Sequence, residues 1–319
     1  MFSFYAFAIS TALATLAGFF QENWDSYKSE AEAAWEHLDS ISTTLSFQSN
    51  STEKNTDMKE IRSSTSFSQS PNRFFWQADN FHPTRGETHK VAVATPNYGI
   101  ALFRKSVDEK WDLIRYGPDR SVVDVNVTAA ILGSRCPPLN PIDKIRFDEY
   151  AAAVGVKIES LEEHISAGGK RIRLTLKFPE EPVDLLGGKF SAKKIVFEFD
   201  PAHSWIVTAE DIVMDGYERH GTAKYDFDES GRPLLKNVVV HDSWEKTGQE
   251  SLSETIYDRY EYKSDDRPFL PETYGLPALA SGGRYNLRII VFGASSGVLF
   301  FLFILLRKRS ASVQNGPPR

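Results

Sequence analysis

The stretch KRIRLTLKF, Lys170 to Phe178, decides the fold class. Ile172, Leu174, Leu176 and Phe178 alternate with Arg171, Arg173, Thr175 and Lys177. Successive side chains of a strand point to opposite faces, so a period of two predicts a strand with one buried and one solvated face. KKIVFEFD, Lys193 to Asp200, repeats the pattern with Ile195, Phe197 and Phe199. Further on, TAKYDFDESGRPLLKNVVVHDSW, Thr222 to Trp244, predicts a hairpin, with turn chemistry from Glu229 to Pro233 between Phe227 and Leu234. LSETIYDRYEYK, Leu252 to Lys263, is a further strand.

Towards the N-terminus, MKEIRSSTSFSQS, NRFFWQAD, HKVAVATP, YGIALFRKS and KWDLIRYG predict shorter strands punctuated by Pro, Gly and Asn. Strands so regularly spaced predict a mainly β, α+β fold built on one strongly curved antiparallel sheet or half-open barrel. Before them, Trp24, Tyr27, Ala31, Ala34, Trp35 and Leu38 recur at spacings of three and four among acidic and basic residues. That is an amphipathic helix needing a surface to lie on. Two intervals depart from strand texture. Ser121 to Lys144 is a connection loaded with Pro137, Pro138 and Pro141, and IRFDEYAAAVG, Ile145 to Gly155, predicts a short helix ended by its glycine. Such helical insertions can cap the open side of the sheet.

The two ends read differently. Between Arg288 and Arg307 there is no charge, and Ile289 to Leu306 supplies about 18 apolar or small residues, enough for a membrane-spanning helix. Arg307, Lys308 and Arg309 follow, a cluster of the kind retained in the cytoplasm. MFSFYAFAISTALATLAGFFQ, Met1 to Gln21, is expected to be an export signal, cleaved after Thr15-Leu16-Ala17 or kept as an anchor. The expected organisation is therefore a signal over 1–20, an extracytoplasmic domain over 21–263, a Pro/Gly-rich spacer over 264–286, a transmembrane helix over 287–306 and a cytoplasmic basic tail over 307–319. This predicts a single-pass cell-membrane protein with its bulk outside the cytoplasm, periplasmic if the envelope is of the Gram-negative type.

Composition excludes several classes. A net charge of -6, from 37 basic and 43 acidic residues, gives no basic field for nucleic acid. Cys136 alone makes no internal disulfide, so the domain must rest on apolar burial. The seven histidines lack metal-ligand spacing, LGGKF lacks the rest of a phosphate loop, and no dinucleotide fingerprint occurs, so no metal or cofactor is expected. Gly293-Ala294-Ser295-Ser296-Gly297 fits the nucleophile-elbow string, but that motif needs a strand-to-helix turn and here falls within the apolar span. Gly293 and Gly297 instead offer a small-residue face for self-association of the span. Asp226, Asp228 and Glu229 are explained by a hairpin's wet side, and FDPAHSW, Phe199 to Trp205, by an Asp-Pro turn. No catalytic residue is expected and the chain is read as a non-enzyme.

Aromatic residues exceed the background, with 22 Phe, 12 Tyr and 6 Trp alternating along many strands. On a curved sheet they fill the inner face or line a groove. The candidate ligand face is Ile172, Leu174, Leu176, Phe178, Ile195, Phe197 and Phe199, either open to a ligand or stopped by a helix.

The order of an export signal, the helix WDSYKSEAEAAWEHLDSISTTLSF running into strands, RSSTSFSQSPNRFFWQAD and a strand-rich remainder resembles the bacterial superfamily of the lipoprotein carrier LolA, its receptor LolB and the regulator RseB. The resemblance spans about Gln21 to Lys263 and rests on order and texture, so no functional residue is carried over. It implies a half-open barrel capped by helices that binds a lipid, lipoprotein or other apolar ligand. The alternative it implies is an envelope signalling or scaffold protein whose sheet binds another protein. A tethered form cannot shuttle freely.

Overall fold

In the computed structural model, which describes residues 24–264 apart from 58, 97, 118–139, 144, 167, 186 and 187, the stretch at Lys170 is a strand at the heart of the apolar core. The expected signal, spacer, membrane span, tail, Cys136 and the Gly293/Gly297 face lie outside the described residues. Among the described residues no helix is long and apolar enough to cross a membrane.

Helix α1 occupies residues 24–42. Six strands follow as a meander: β1 (Leu45–Asn55), β2 (Glu60–Ser70), β3 (Arg73–His82), β4 (Gly86–Ala94), β5 (Gly99–Arg104) and β6 (Asp112–Gly117). The short helix α2 (Phe147–Ala152) precedes β7 (Lys157–Ser166) and β8 (Gly169–Lys177), and among the described residues β9 (Val183–Leu185) pairs only with β10 (Gly188–Phe190). Then come β11 (Lys194–Asp200), a 3₁₀ turn (Pro201–His203), β12 (Ile206–Met214), β13 (Tyr217–Phe227), β14 (Pro233–Trp244) and β15 (Gln249–Glu261).

Thirteen of these strands form one antiparallel sheet in the order β6-β5-β4-β3-β2-β1-β15-β14-β13-β12-β11-β8-β7, open at β6 and β7 and so not closed into a barrel. Its middle seam joins the first strand to the last, with Phe47 opposite Tyr260 and Ser51 opposite Thr255. Pairings slip by a residue at Gln48/Ser49, Glu198/Phe199 and Lys224/Tyr225, the irregularities by which long strands gain twist and bend. The β13–β14 turn is built as its sequence suggests. Asp228 Oδ1 accepts the Ser230 hydroxyl at 2.7 Å and the backbone N–H of Ser230 at 2.9 Å and of Arg232 at 3.0 Å, Gly231 supplies φ +79°, and the Ser230 hydroxyl, followed by Arg232, holds the Asp228 carboxyl below its usual range.

The strands read from alternation are present, and α1 extends the expected helix to residue 42. Trp24, Ala31, Trp35 and Leu38 all face the core. Trp35 Nε1 donates to the carbonyl of Trp205 at 3.0 Å, and Trp24, Trp35, Phe147, Phe199 and Trp205 form one aromatic cluster. The FDPAHSW turn is tighter than an Asp-Pro turn alone. Ser204 and Trp205 both take left-handed backbone, at φ 62° and 55°, while Asp200 is held by Arg171 at 2.9 Å and His203 at 2.8 Å. Two adjacent non-glycine residues in that region are strained, and the Arg171–Asp200 ion pair, the His203–Asp200 hydrogen bond and the buried indole hold them there.

Candidate ligand groove

The helices close one part of the sheet's inner face. Register places Ile195 opposite Leu176, Phe197 opposite Leu174 and Phe199 opposite Ile172, so these six share a face, and Phe178, just past the end of β8, is buried in the same core. None of them is open to solvent: Ile172, Leu174, Leu176, Ile195, Phe197 and Phe199 are wholly buried and Phe178 nearly so. Trp35 meets Phe199 at 6.0 Å between ring centres, Phe147 meets Phe197 and Phe199 at 5.5 Å, and Tyr150 meets Phe178 at 5.9 Å. Of the two arrangements open to this face, a ligand or a helix, α1 and α2 supply the second. The seven residues floor the closed part.

The remainder of the inner face is open. A groove of about 710 Å³ runs over β1 to β4 and β13 to β15, with Phe47, Trp76, Val238, Val240 and Tyr257 as its apolar wall. Its far end carries Glu53, Asn80, Lys90, Asp242, Trp244 and Ser251, close to the hairpin turns. Along β15 the burial alternates strictly, with Ser251, Ser253, Thr255 and Tyr257 turned inward and Leu252, Glu254, Ile256 and Asp258 exposed.

A loop, residues 140–143 and 145–146, borders the groove, which Pro141, Ile142 and Asp143 line. Asn140 is fully buried. Its Oδ1 accepts from the N–H groups of Ile142 and Asp143 at 3.1 and 3.3 Å, and its Nδ2 donates to Ile145 O at 2.7 Å and to Glu210 Oε2 at 3.2 Å. Ile142 sits directly on Gly221, where an added Cβ would stand 2.1 Å from Ile142 Cγ2. Arg219 spans Asp143 at 3.1 Å and Asp242 at 2.8 Å, Tyr217 donates to Asp242 at 2.5 Å, and Tyr150 donates to Asp143. Burial alone would pull the Arg219 guanidinium down, but Asp242, Tyr217 and Asp143 outweigh it and keep it charged. Arg146 ties the same loop to α1 through Asp39 at 2.5 Å.

Glu210 lies beneath this loop, fully buried, with no partner for Oε1 among the described residues. Burial and the neighbouring Asp143 charge push its carboxyl well above the ordinary 4.5, against the pull of Asn140 and Arg219. Between that ordinary value and the raised one the folded chain keeps a proton that the unfolded chain releases, so Glu210 lowers stability as pH rises. Glu210→Gln keeps the shape and the acceptor for Asn140 without the proton. Urea unfolding from about pH 5 to about pH 8 should show the variant gaining on the parent as pH rises. An equal loss at every pH would mean that Glu210 acts as a carboxylate.

Among the described residues no group of three or more His, Cys, Asp or Glu side chains is placed to hold a metal ion. The groove's own residues were not singled out by sequence. The signal that finds them is the period of two in Ser49-x-Ser51-x-Glu53 and Ser251-x-Ser253-x-Thr255, which reads as a wet face until β1 is known to pair with β15.

No family model and no curated protein matches the chain. Among solved structures, a LolA superfamily protein from Nitrosomonas europaea is similar at 11% identity and a TM-score of 0.40, over 76% of this chain and 98% of that one. A DUF4623 family protein from Bacteroides eggerthii is similar at 8% identity and a TM-score of 0.13, over 64% of this chain and 57% of that one. Both likenesses are too distant to bear on what this chain binds.

Proposed function

We propose that the chain is a non-enzymatic binding module that takes a lipid, the lipid moiety of a lipoprotein or another amphiphile into the inner-face groove. The observation that carries this reading is the groove itself. Its 710 Å³ and apolar wall of Trp76, Val238 and Val240 stay open although α1 and α2 cover the part of the same face that holds Phe197 and Phe199. Ligand sites commonly measure roughly 300–1,000 Å³. Each buried methylene of an acyl chain contributes about 0.8 kcal/mol, so roughly ten approach 8 kcal/mol, within the range of association costs.

The chain is further proposed to hang from a membrane by residues 287–306, with its sheet outside the cytoplasm, because three basic residues follow the apolar run. Protease added to intact spheroplasts should degrade the sheet domain and spare a tag placed after Arg319. Protection of the domain would reverse this topology.

The binding test is extraction of the purified protein with organic solvent and mass spectrometry of what is released, compared with Val240→Trp, which fills the groove from its wall. A stoichiometric amphiphile in the parent, lost from a Val240→Trp variant that melts within a few degrees of it, is the expected result. If the folded parent carries none and takes up no fluorescent fatty acid, binding of another protein by the sheet becomes the better reading.

A further inference from the structure

Resting on that groove, we propose that its occupant carries an uncharged, hydroxyl-bearing head group, as a glycolipid or alkyl glycoside does, in preference to a charged one. The inner face of the three central strands β2, β1 and β15 presents a block of hydroxyl side chains, Thr65, Ser49, Ser51, Thr255, Ser253 and Ser251, all lining the groove. Register sets Thr65 beside Ser49 and Ser51 beside Thr255.

Only part of this block is spent on the protein. Thr255 Oγ1 donates to Ser51 Oγ at 3.1 Å and Ser251 Oγ to Glu53 Oε1 at 3.2 Å. Among the described residues Ser49, Thr65 and Ser253 make no side-chain hydrogen bond, and Ser49 is only 7% exposed. None of these three oxygens is sealed off from the groove, so water meets them in the free protein and a ligand's own hydroxyls can take that water's place. Each offers one donor and two lone pairs, which suits a partner that both donates and accepts.

The charges argue the same way. The groove lining holds three carboxylates, Glu53, Asp143 and Asp242, against two cations, Lys90 and Arg219, so an anion meets an acidic excess. The arms of Arg219 are taken by Asp143 and Asp242, and Glu53 is occupied by Ser251. Lys90 is exposed, and a pair formed there stays in water and contributes little. Trp244, also at the open end and 36% exposed, adds an indole face for the apolar side of a ring-shaped head.

The test uses the full-length chain in the cell fraction that contains it. It is exposed to three probes that share one diazirine-bearing alkyl tail and differ in head group: glucoside, sulfate and trimethylammonium. Cross-linked peptides are mapped by mass spectrometry. The glucoside probe should label the peptides holding Trp76 and Val238–Val240 about tenfold more than either charged probe, the factor that a small number of neutral hydrogen bonds supplies. In Ser49→Ala/Thr255→Val, whose proteolysis pattern serves as the folding control, the glucoside labelling should fall to the level of the charged probes, whose own labelling stays as in the parent. Equal labelling by all three heads, a charged head labelling best, or a glucoside preference that survives the double variant each overturns the head-group assignment while leaving the groove as a tail site. No groove labelling by any probe overturns both this inference and the groove reading beneath it.

Discussion

Trp35→Ala is expected to lower the unfolding free energy by about 3–5 kcal/mol, the cost of emptying a fully packed aromatic site. Trp35 is 5% exposed and lies among Trp24, Phe147 and Phe199. Truncation removes these contacts and also strands the Trp205 carbonyl that accepts its indole N–H, at a residue already held in left-handed backbone. Trp35→Phe separates the two contributions, because it keeps most of the ring and loses the hydrogen bond, and it should cost markedly less. Urea denaturation followed by far-ultraviolet circular dichroism measures both. A loss under about 1 kcal/mol for the alanine variant would mean that α1 is not what stops the apolar face, and that Ile172, Phe197 and Phe199 are available to a ligand after all.

The second large effect is expected at Gly221. A glycine within a strand is ordinarily a weakness, and alanine or valine there would ordinarily help. Here the added carbon would stand 2.1 Å from Ile142, so the loop over 140–146 must lift away from β13. Gly221→Val should therefore destabilise by about 1–3 kcal/mol, as overpacking does. It should also open a new proteolytic site in the loop, since lifting Ile142 strains the Asn140–Glu210 bond and the Asp143–Arg219 pair. Ile142→Ala makes room, so the double variant should recover much of the loss. A favourable coupling energy in that cycle identifies the contact, and additive losses would place the effect elsewhere.

Where sequence was legible, one face of a strand was dry along its whole length. Ile172-Leu174-Leu176 and Ile195-Phe197-Phe199 are of this kind, and both are strands that share a face. The strand Lys157–Ser166 is not, because it is the sheet's edge and only Ile158 along it is buried. The strand Ile206–Met214 hid for a different reason. Its inward alternation is interrupted by Glu210, and a buried glutamate makes sense only once Asn140, 70 positions earlier, is beside it. For the site, the face was found but not its state. Whether seven apolar side chains meet a ligand or a helix depends on where α1 docks, and that is set by Trp205 and Phe147 far along the chain. The hydroxyl rows of the groove look like ordinary solvent-facing positions until the seam between β1 and β15 brings them together.

That seam also bears on how the molecule is made. Residues 45–55 pair with residues 60–70 at once but must wait for residues 251–261 on their other edge, so the strand synthesised first is among the last to be paired on both sides. The meander β1 to β6 and the hairpins of the second half involve near neighbours and can form as they leave the ribosome, each with little loop to close. Joining the halves closes a loop of about 200 residues, and loops of that size slow folding. Until it closes, the two half-sheets each expose an unpaired edge at their centre. A chain of this topology spends the interval before the seam zips as two sticky halves, which makes a holding chaperone most useful late in synthesis, after β14 and before β15.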